Sequence, residues 1–358
     1  MSLTARSTFF MPWAGLAGSG VKNMTGLLYD DLEKNMMMGA RSVLLNNGVE
    51  MPRVIYGAGG AHTQDNVTGT RIALALALSS AVGFPGLDTA NHYHNQIGVR
   101  DGIAESGTAR KSLWVQTKVE PCGHSIVRQG HCHEDTLAAF EQNLQQLGML
   151  SVDMTLIHSP PCVPNSSWAD QACYWDSAIY PHNCNCAAAE PCAMMQEQWR
   201  ALEAMYKEGK TRAIGVSNFC PACLRCLALA SNVTPAVNQL QFHAGMGGAD
   251  PRGLLSYNTA RGIVVQAYSP LGGEQVGALL HSNVTAAIGV AHGKSSATVV
   301  LRWVVQLGHT LAAASFTQDH MMSDLDVFDW ALTDEEMDLI SALDVAPDDP
   351  TKEMCLYD

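Results

Sequence analysis

Eight short apolar runs alternate with helix-spaced segments from residue 53 onward, and this alternation limits the fold more than any other feature. The runs cover residues 53–57, 86–89, 113–119, 152–158, 213–217, 236–241, 263–268 and 310–315. Between them, residues 135–147 place Leu137, Phe140, Leu144 and Leu147 at the three- and four-residue spacing of one helix face. Residues 196–208 do the same with Trp199, Leu202 and Met205, and Gly209 follows as a helix stop. Residues 295–307 repeat the pattern behind a Ser295-Ser296 cap. Strands separated by helices pair in parallel, because each crossover needs a helix to return the chain to the same edge. Eight such units close into a (β/α)₈ TIM barrel, which is the predicted fold. A doubly wound open sheet is the competing topology. It would want a G-x-G-x-x-G turn after the first strand, and Gly57-Ala58-Gly59-Gly60 does not fit that spacing.

Three segments lie outside the repeat. Residues 42–45 and 51–54 flank Asn46-Asn47-Gly48, which predicts a β-hairpin able to plug the barrel's bottom. Residues 1–41 read as an N-terminal extension. Its apolar stretch after Arg6 is broken by Pro12 and glycines, which makes a poor signal peptide, and residues 30–38 read as a short helix. Residues 160–195 form a Cys- and Pro-bearing insertion after strand four, on the face where barrel enzymes carry their sites. The barrel domain spans 42–358 with this insertion included.

The formal net charge of −13 argues against a nucleic-acid surface, which needs clustered Lys and Arg. No apolar run is long enough to span a bilayer. The chain has 11 cysteines, five of them (Cys162, Cys173, Cys184, Cys186, Cys192) in the insertion, and sequons at Asn23, Asn66, Asn165, Asn232 and Asn283. These features suit an oxidising, secretory setting. They equally suit a cytoplasmic protein with free thiols and unused sequons. A cytoplasmic location is the expectation, with an organellar or secretory one as the alternative. The expected assembly is a monomer or weak oligomer.

Polar residues sit at the C-terminal ends of three of the apolar runs: Asp88, with Tyr93 shortly after it, Lys118 and His158. An ion pair, a phenol and an imidazole gathered there can protonate a carbonyl oxygen while hydride arrives at carbon. Singly, each has an ordinary reading as a packing residue or surface ion pair. Their order along the chain is what gives them weight.

That order, read with Asp88-Thr89-Ala90-Asn91-His92-Tyr93-His94-Asn95, Thr117-Lys118-Val119, Leu156-Ile157-His158-Ser159-Pro160, Gly215-Val216-Ser217-Asn218-Phe219, Asn238-Gln239 and Ala267-Tyr268-Ser269-Pro270-Leu271-Gly272, resembles the successive signatures of the aldo-keto reductases from about residue 43 to 345. The resemblance implies a (β/α)₈ barrel that binds NADP(H), less often NAD(H), in an extended pose and reduces an aldehyde or ketone. It implies Tyr93 as proton donor, Lys118 lowering the phenol's pKa, Asp88 holding Lys118, and His158 orienting the carbonyl. Ser217, Asn218 and Gln239 match residues that hold the nicotinamide carboxamide, and Tyr268 matches the aromatic stacked on its ring. Ser269 and Leu271 match positions beside the pyrophosphate.

The adenosine end departs from the family pattern. Where NADP(H)-specific members carry Lys-Ser, then Arg, then Asn, this chain has Ala314-Ser315, His320 and Asp324. A 2′-phosphate wants Arg or Lys donors. Only Ser315 persists, with His320 as a partial substitute, so NAD(H) is possible alongside NADP(H). On the substrate side, Ser159 stands where many relatives carry Trp, and Trp114, Phe242 and the insertion's aromatics are candidates for the wall. His92 and His94 have H-x-H spacing, but with no third ligand in view no metal site is expected. Cys173, Cys184, Cys186, Cys192 and His182 could form a zinc knot, but disulfides are the better reading if the protein is secretory, whereas Cys220, Cys223 and Cys226 read as core packing. The rival function is a nucleotide-binding regulatory or inactive protein on the same scaffold.

Overall fold

The computed structural model describes residues 40–60, 62–124, 126–161, 189–273 and 276–344. The expected helix at 30–38 and most of the insertion lie outside these residues.

Eight parallel strands close into a barrel. They are β3 (Val54–Gly57), β4 (Gly86–Asp88), β5 (Trp114–Val119), β6 (Val152–Ile157), β7 (Thr211–Ser217), β8 (Val237–Gln241), β9 (Val264–Tyr268) and β10 (Thr310–Ala313). They follow chain order around the circle, and β10 returns to pair with β3. All eight predicted strands are present, with ends shifted by one or two residues. The predicted helices appear as Cys132–Leu147, Ala189–Lys207 and Ser296–Gln306. The second begins seven residues earlier than its apolar spacing suggested. Pro191 lies in its first turn, where the missing N–H costs no helical hydrogen bond. Ser295 Oγ accepts from Thr298 N at 3.0 Å, capping the third.

β1 (Ser42–Leu44) and β2 (Glu50–Pro52) form the antiparallel hairpin. Gly48 takes a φ of +80° in its turn. Leu45 and Met51 bury against inward-facing Ile55, Met154, Ala213 and Ala312, so the hairpin seals the N-terminal end of the barrel. Trp114 belongs to this same floor. Phe242 stacks on Trp303 with ring centroids 5.2 Å apart in the layer between strands and helices. Neither residue is available as a substrate wall. A bulky ring early in a strand fills the closed end, away from the open one.

Above the apolar floor the barrel interior turns polar. Gln116 on β5 donates from Nε2 to Asp88 Oδ1 at 2.8 Å and to Gln266 Oε1 at 2.6 Å. Gln239 donates to the same Gln266 oxygen at 2.7 Å. β5 and β9 are not neighbours, so this chain of amides crosses the lumen. It supports the strand ends from below.

Every cysteine among the described residues is disulfide-bonded. Cys122 pairs with Cys132, and Cys192 with Cys226. Cys220, Cys223 and Cys226 do pack in the core, as expected, but they are also half-cystines. Cys192 is committed to Cys226 and so leaves the zinc knot.

Candidate active site

Asp88, Lys118 and His158 come from adjacent strands β4, β5 and β6, and all point into one end of the barrel. Lys118 Nζ lies 2.6 Å from Asp88 Oδ2, 3.1 Å from Thr89 O and 3.1 Å from Tyr93 Oη. The ammonium has three protons, and these three acceptors use them. Lys118 has no exposure to solvent and Asp88 very little. Tyr93 ends a short 3-10 turn (Asn91–Tyr93) that His94 terminates in the left-handed region, φ +48°. Its ring meets His158 edge-on, with centroids 5.5 Å apart.

Two residues that sequence reasoning passed over place this phenol. Asn95, fully buried, accepts from Thr89 Oγ1 at 3.0 Å and donates to Ala58 O at 2.8 Å, tying the Tyr93 turn to the loop after β3. In that loop Gly59 leaves the room Tyr93 occupies. A Cβ there would fall 2.5 Å from Tyr93 Cζ and 2.8 Å from Oη. The glycine-rich run Gly57-Ala58-Gly59-Gly60 was the available signal. Its purpose is close approach to a side chain rather than to a dinucleotide phosphate.

The protonation states follow from burial. Burial pushes the Tyr93 phenol above its ordinary value; Lys118 pulls it down and Asp88 pushes it further up, and the net direction is up. The expected lowering by Lys118 is therefore present but outweighed. For Lys118, burial pulls down, while Asp88 and Tyr93 raise the ammonium above its usual value. His158 is held well below 6.5, first by burial and then by the Lys118 charge. At neutral pH the site contains a protonated phenol, an ammonium and a neutral imidazole.

A cavity of about 360 Å³ opens over these groups, within the usual range for ligand pockets. Tyr93 and His158 line one side, and Ser217, Asn218, Gln239 and Tyr268 line another. Asn218 sits at φ +62° and is locked in place. It donates to His158 O and Ser217 Oγ, both at 3.0 Å, and accepts from the Tyr268 hydroxyl at 3.0 Å. Ser269 (φ +48°) and Leu271 continue the lining away from the tetrad, which ends near Ala314.

Ser315 and His320 lie beyond it. Ser315 Oγ donates to Asp324 Oδ2 at 2.6 Å, and His320 is exposed on the helix Gln318–Leu325. Asp324 is buried, and burial raises its carboxyl to about 6 despite the Ser315 bond and nearby His320. Ser315 is therefore tied to Asp324.

Ser159, expected at the substrate wall, is fully buried and bonds Pro160 O at 3.3 Å. The H-x-H pair keeps its rings 5.5 Å apart but takes different partners: His94 bonds Asp65 at 2.7 Å, while His92 faces Glu120 and His124.

The profile of the Aldo/keto reductase family matches residues 53–345. The chain belongs to this family. It is 35% identical over 302 residues to glyoxal reductase of Bacillus subtilis (strain 168), a match covering 84% of this chain and 92% of that one. It is 34% identical over 310 residues to morphine 6-dehydrogenase of Pseudomonas putida, covering 84% and 90%. Among solved structures, an aldo/keto reductase from Brucella melitensis superposes with a TM-score of 0.67 at 30% identity, covering 85% of this chain and 99% of that one. The Bombyx mori aldo-keto reductase in complex with NADP superposes with a TM-score of 0.68 at 26% identity, covering 84% and 92%. The fold and family expected from the strand-end motifs are borne out. No described helix of this oxidoreductase is long and apolar enough to cross a membrane.

Proposed function

We propose that this aldo-keto reductase reduces an aldehyde or ketone to an alcohol with Tyr93 as proton donor and Asp88, Lys118 and His158 as its partners. The observation that carries the reading is the buried ammonium of Lys118, bonded at once to Asp88 and Tyr93. NADP(H), when bound, supplies the hydride. Ser217, Asn218, Gln239 and Tyr268 fit its ring end, because fixed amide and hydroxyl groups beside an aromatic wall suit a flat ring bearing a carboxamide. Ser269 and Leu271 are the assigned positions toward the pyrophosphate, and Ser315 and His320 those at the adenosine end.

In the reductive direction His158, neutral, hydrogen-bonds the carbonyl oxygen and sets it against Tyr93 Oη. Tyr93 gives its proton to that oxygen. Lys118, 3.1 Å away, offsets the phenolate left behind, and Asp88 keeps the ammonium aimed. In the oxidative direction Tyr93 must first lose its proton. A phenol raised by burial makes that direction favour alkaline pH.

The lost Lys/Arg clamp and the Ser315–Asp324 bond support relaxed cofactor choice, with NAD(H) accepted beside NADP(H). Titrating the purified protein with NADPH and NADH, followed by tryptophan fluorescence, tests this. A preference for NADPH of 100-fold or more, on the order of 2.7 kcal/mol, would break it. Residues 42–358 make up the reductase domain in this reading, with 1–41 an extension and 160–195 an insertion. Six half-cystines among the described residues, with exposed sequons at Asn66, Asn232 and Asn283, support an oxidising compartment over the cytoplasm. Non-reducing mass spectrometry of protein from its native source, with and without glycosidase, tests the compartment.

A further inference from the structure

Three side chains that the reductase reading does not use converge beside the tetrad. His92 precedes Tyr93 in the 3-10 turn; Glu120 follows β5; His124 lies four residues on. His92 Nδ1 is 3.5 Å from Glu120 Oε1, and His124 Nδ1 is 3.0 Å from Glu120 Oε2. The ligand atoms of all three lie within 4.8 Å of one another. Around a tetrahedral ion with bonds of about 2.0–2.1 Å, neighbouring ligand atoms sit roughly 3.4 Å apart. The two His–Glu120 separations, one to each oxygen of the carboxylate, lie on either side of that value.

The donors are held in place before any ion arrives. The Glu120 side chain is only 2% exposed, and both imidazoles are partly covered. Buried Gln198 donates to Glu120 O at 2.9 Å and accepts from Cys122 N at 2.7 Å, clamping the backbone on both sides of Pro121. The Cys122–Cys132 disulfide closes the loop that carries His124, and Gly123 N bonds Val127 O at 2.7 Å across its turn. Asn91 Nδ2 donates to Asn143 Oδ1 at 2.9 Å, fixing the turn that carries His92. Rigid support of this kind is what a metal site needs to select geometry.

We propose that His92, Glu120 and His124 form a binding site for one divalent transition-metal ion of the zinc class. Two imidazoles and one carboxylate suit zinc or cobalt. Calcium and magnesium want oxygen ligands throughout. Three protein ligands leave a further position for water or another oxygen donor. The site borders the reductase pocket, because the His92 and His158 rings have centroids 6.4 Å apart.

The test uses the full chain with its disulfides intact, stripped with chelator. Zn²⁺ is titrated calorimetrically and Co²⁺ by visible absorption, on wild type, Glu120→Gln and His124→Ala, with thermal melts and NADPH titration as fold controls. One ion per chain is expected, with cobalt ligand-field bands and no thiolate charge-transfer band. Loss of a supporting hydrogen bond to a metal ligand costs roughly 10–100-fold in affinity. Loss of a ligand itself should cost about 100-fold or more. His124→Ala alters a partly exposed side chain in a disulfide-closed loop and decides the matter if Glu120→Gln fails to fold. No stoichiometric binding, a thiolate band, or unchanged affinity in His124→Ala would each overturn the site and leave a hydrogen-bonded His–Glu–His cluster.

Discussion

The two ends of the cavity differ in how tightly each functional group is determined by its neighbours. At the ring end, Lys118, Asp88, Asn218 and Gln239 are buried at strand ends, and every one is hydrogen-bonded to another member of the site, Gln239 through its backbone oxygen to Ser217 Oγ. At the adenosine end, Ala314 and His320 are exposed, and His320 rides on a surface helix outside the barrel. A change at the first end leaves buried charge or unpaired amide and costs folding as well as chemistry. A change at the second costs almost nothing in folding. That asymmetry makes substitution at the second end far easier to absorb than at the first.

The largest test of the contrast is Tyr93→Phe. It keeps the ring and removes the proton, so kcat for carbonyl reduction should fall about 10²–10⁴-fold, the usual scale for general acid catalysis. NADPH affinity should stay unchanged by fluorescence titration. Undiminished turnover would remove Tyr93 from the chemistry.

Lys118→Met comes next. It strands Asp88 in the interior, and breaking a buried ion pair in this way costs about 3–5 kcal/mol. Urea unfolding should show that loss, whereas a fall in activity with stability intact would mean the pair is not structurally coupled.

At the far end, Ala314→Lys with His320→Arg should leave the urea midpoint in place. The double substitution should improve NADPH binding relative to NADH by roughly tenfold, about 1.4 kcal/mol, the worth of a charge-assisted contact. An unchanged ratio would place the 2′-phosphate elsewhere.

The smallest expected effect is Asp324→Asn. The Asp324 carboxyl rises from 3.8 in the unfolded chain to about 6 in the folded one. The folded chain therefore holds the proton through that window, and wild-type stability falls as pH rises across it. Asn keeps an acceptor for Ser315 and should flatten this dependence in thermal melts. It should also favour NADPH by less than about fivefold, consistent with a partly screened charge.

The difference between the ends also governs what the sequence could reveal. The strands were legible because buried parallel strands read as continuous apolar runs, and Asp88, Lys118 and His158 because they interrupt those runs at their ends, with Tyr93 shortly after the first of them. The polar residues inside the runs, Gln116 and Gln266, were invisible as a unit. Their pairing crosses the barrel and depends on closure, which no local pattern encodes. The His92–Glu120–His124 cluster escaped for a related reason, since H-x-H spacing pointed to His94, whereas His94 bonds Asp65 and the partners of His92 are Glu120 and His124 from the segment after β5. Disulfide partners such as Cys192 and Cys226 are 34 residues apart and meet only after two helices have packed. In sequence Asp324 reads only as the residue at the family's Asn position. Its burial behind Ser315 is a tertiary fact.

The pairing of β10 with β3, in which Leu311 lies beside Val54 and Ala313 beside Tyr56, joins almost the first strand to be synthesised with the last. Asp88, Lys118 and His158 leave the ribosome early and must wait, beside an open strand edge, until residue 313 has emerged. Until then the nascent chain offers two unpaired edges to any neighbour, the condition that invites aggregation and chaperone capture. The barrel's last seam is thus a timing element in biosynthesis: a chain interrupted between residue 158 and that seam would carry Asp88, Tyr93, Lys118 and His158 yet no closed barrel around them.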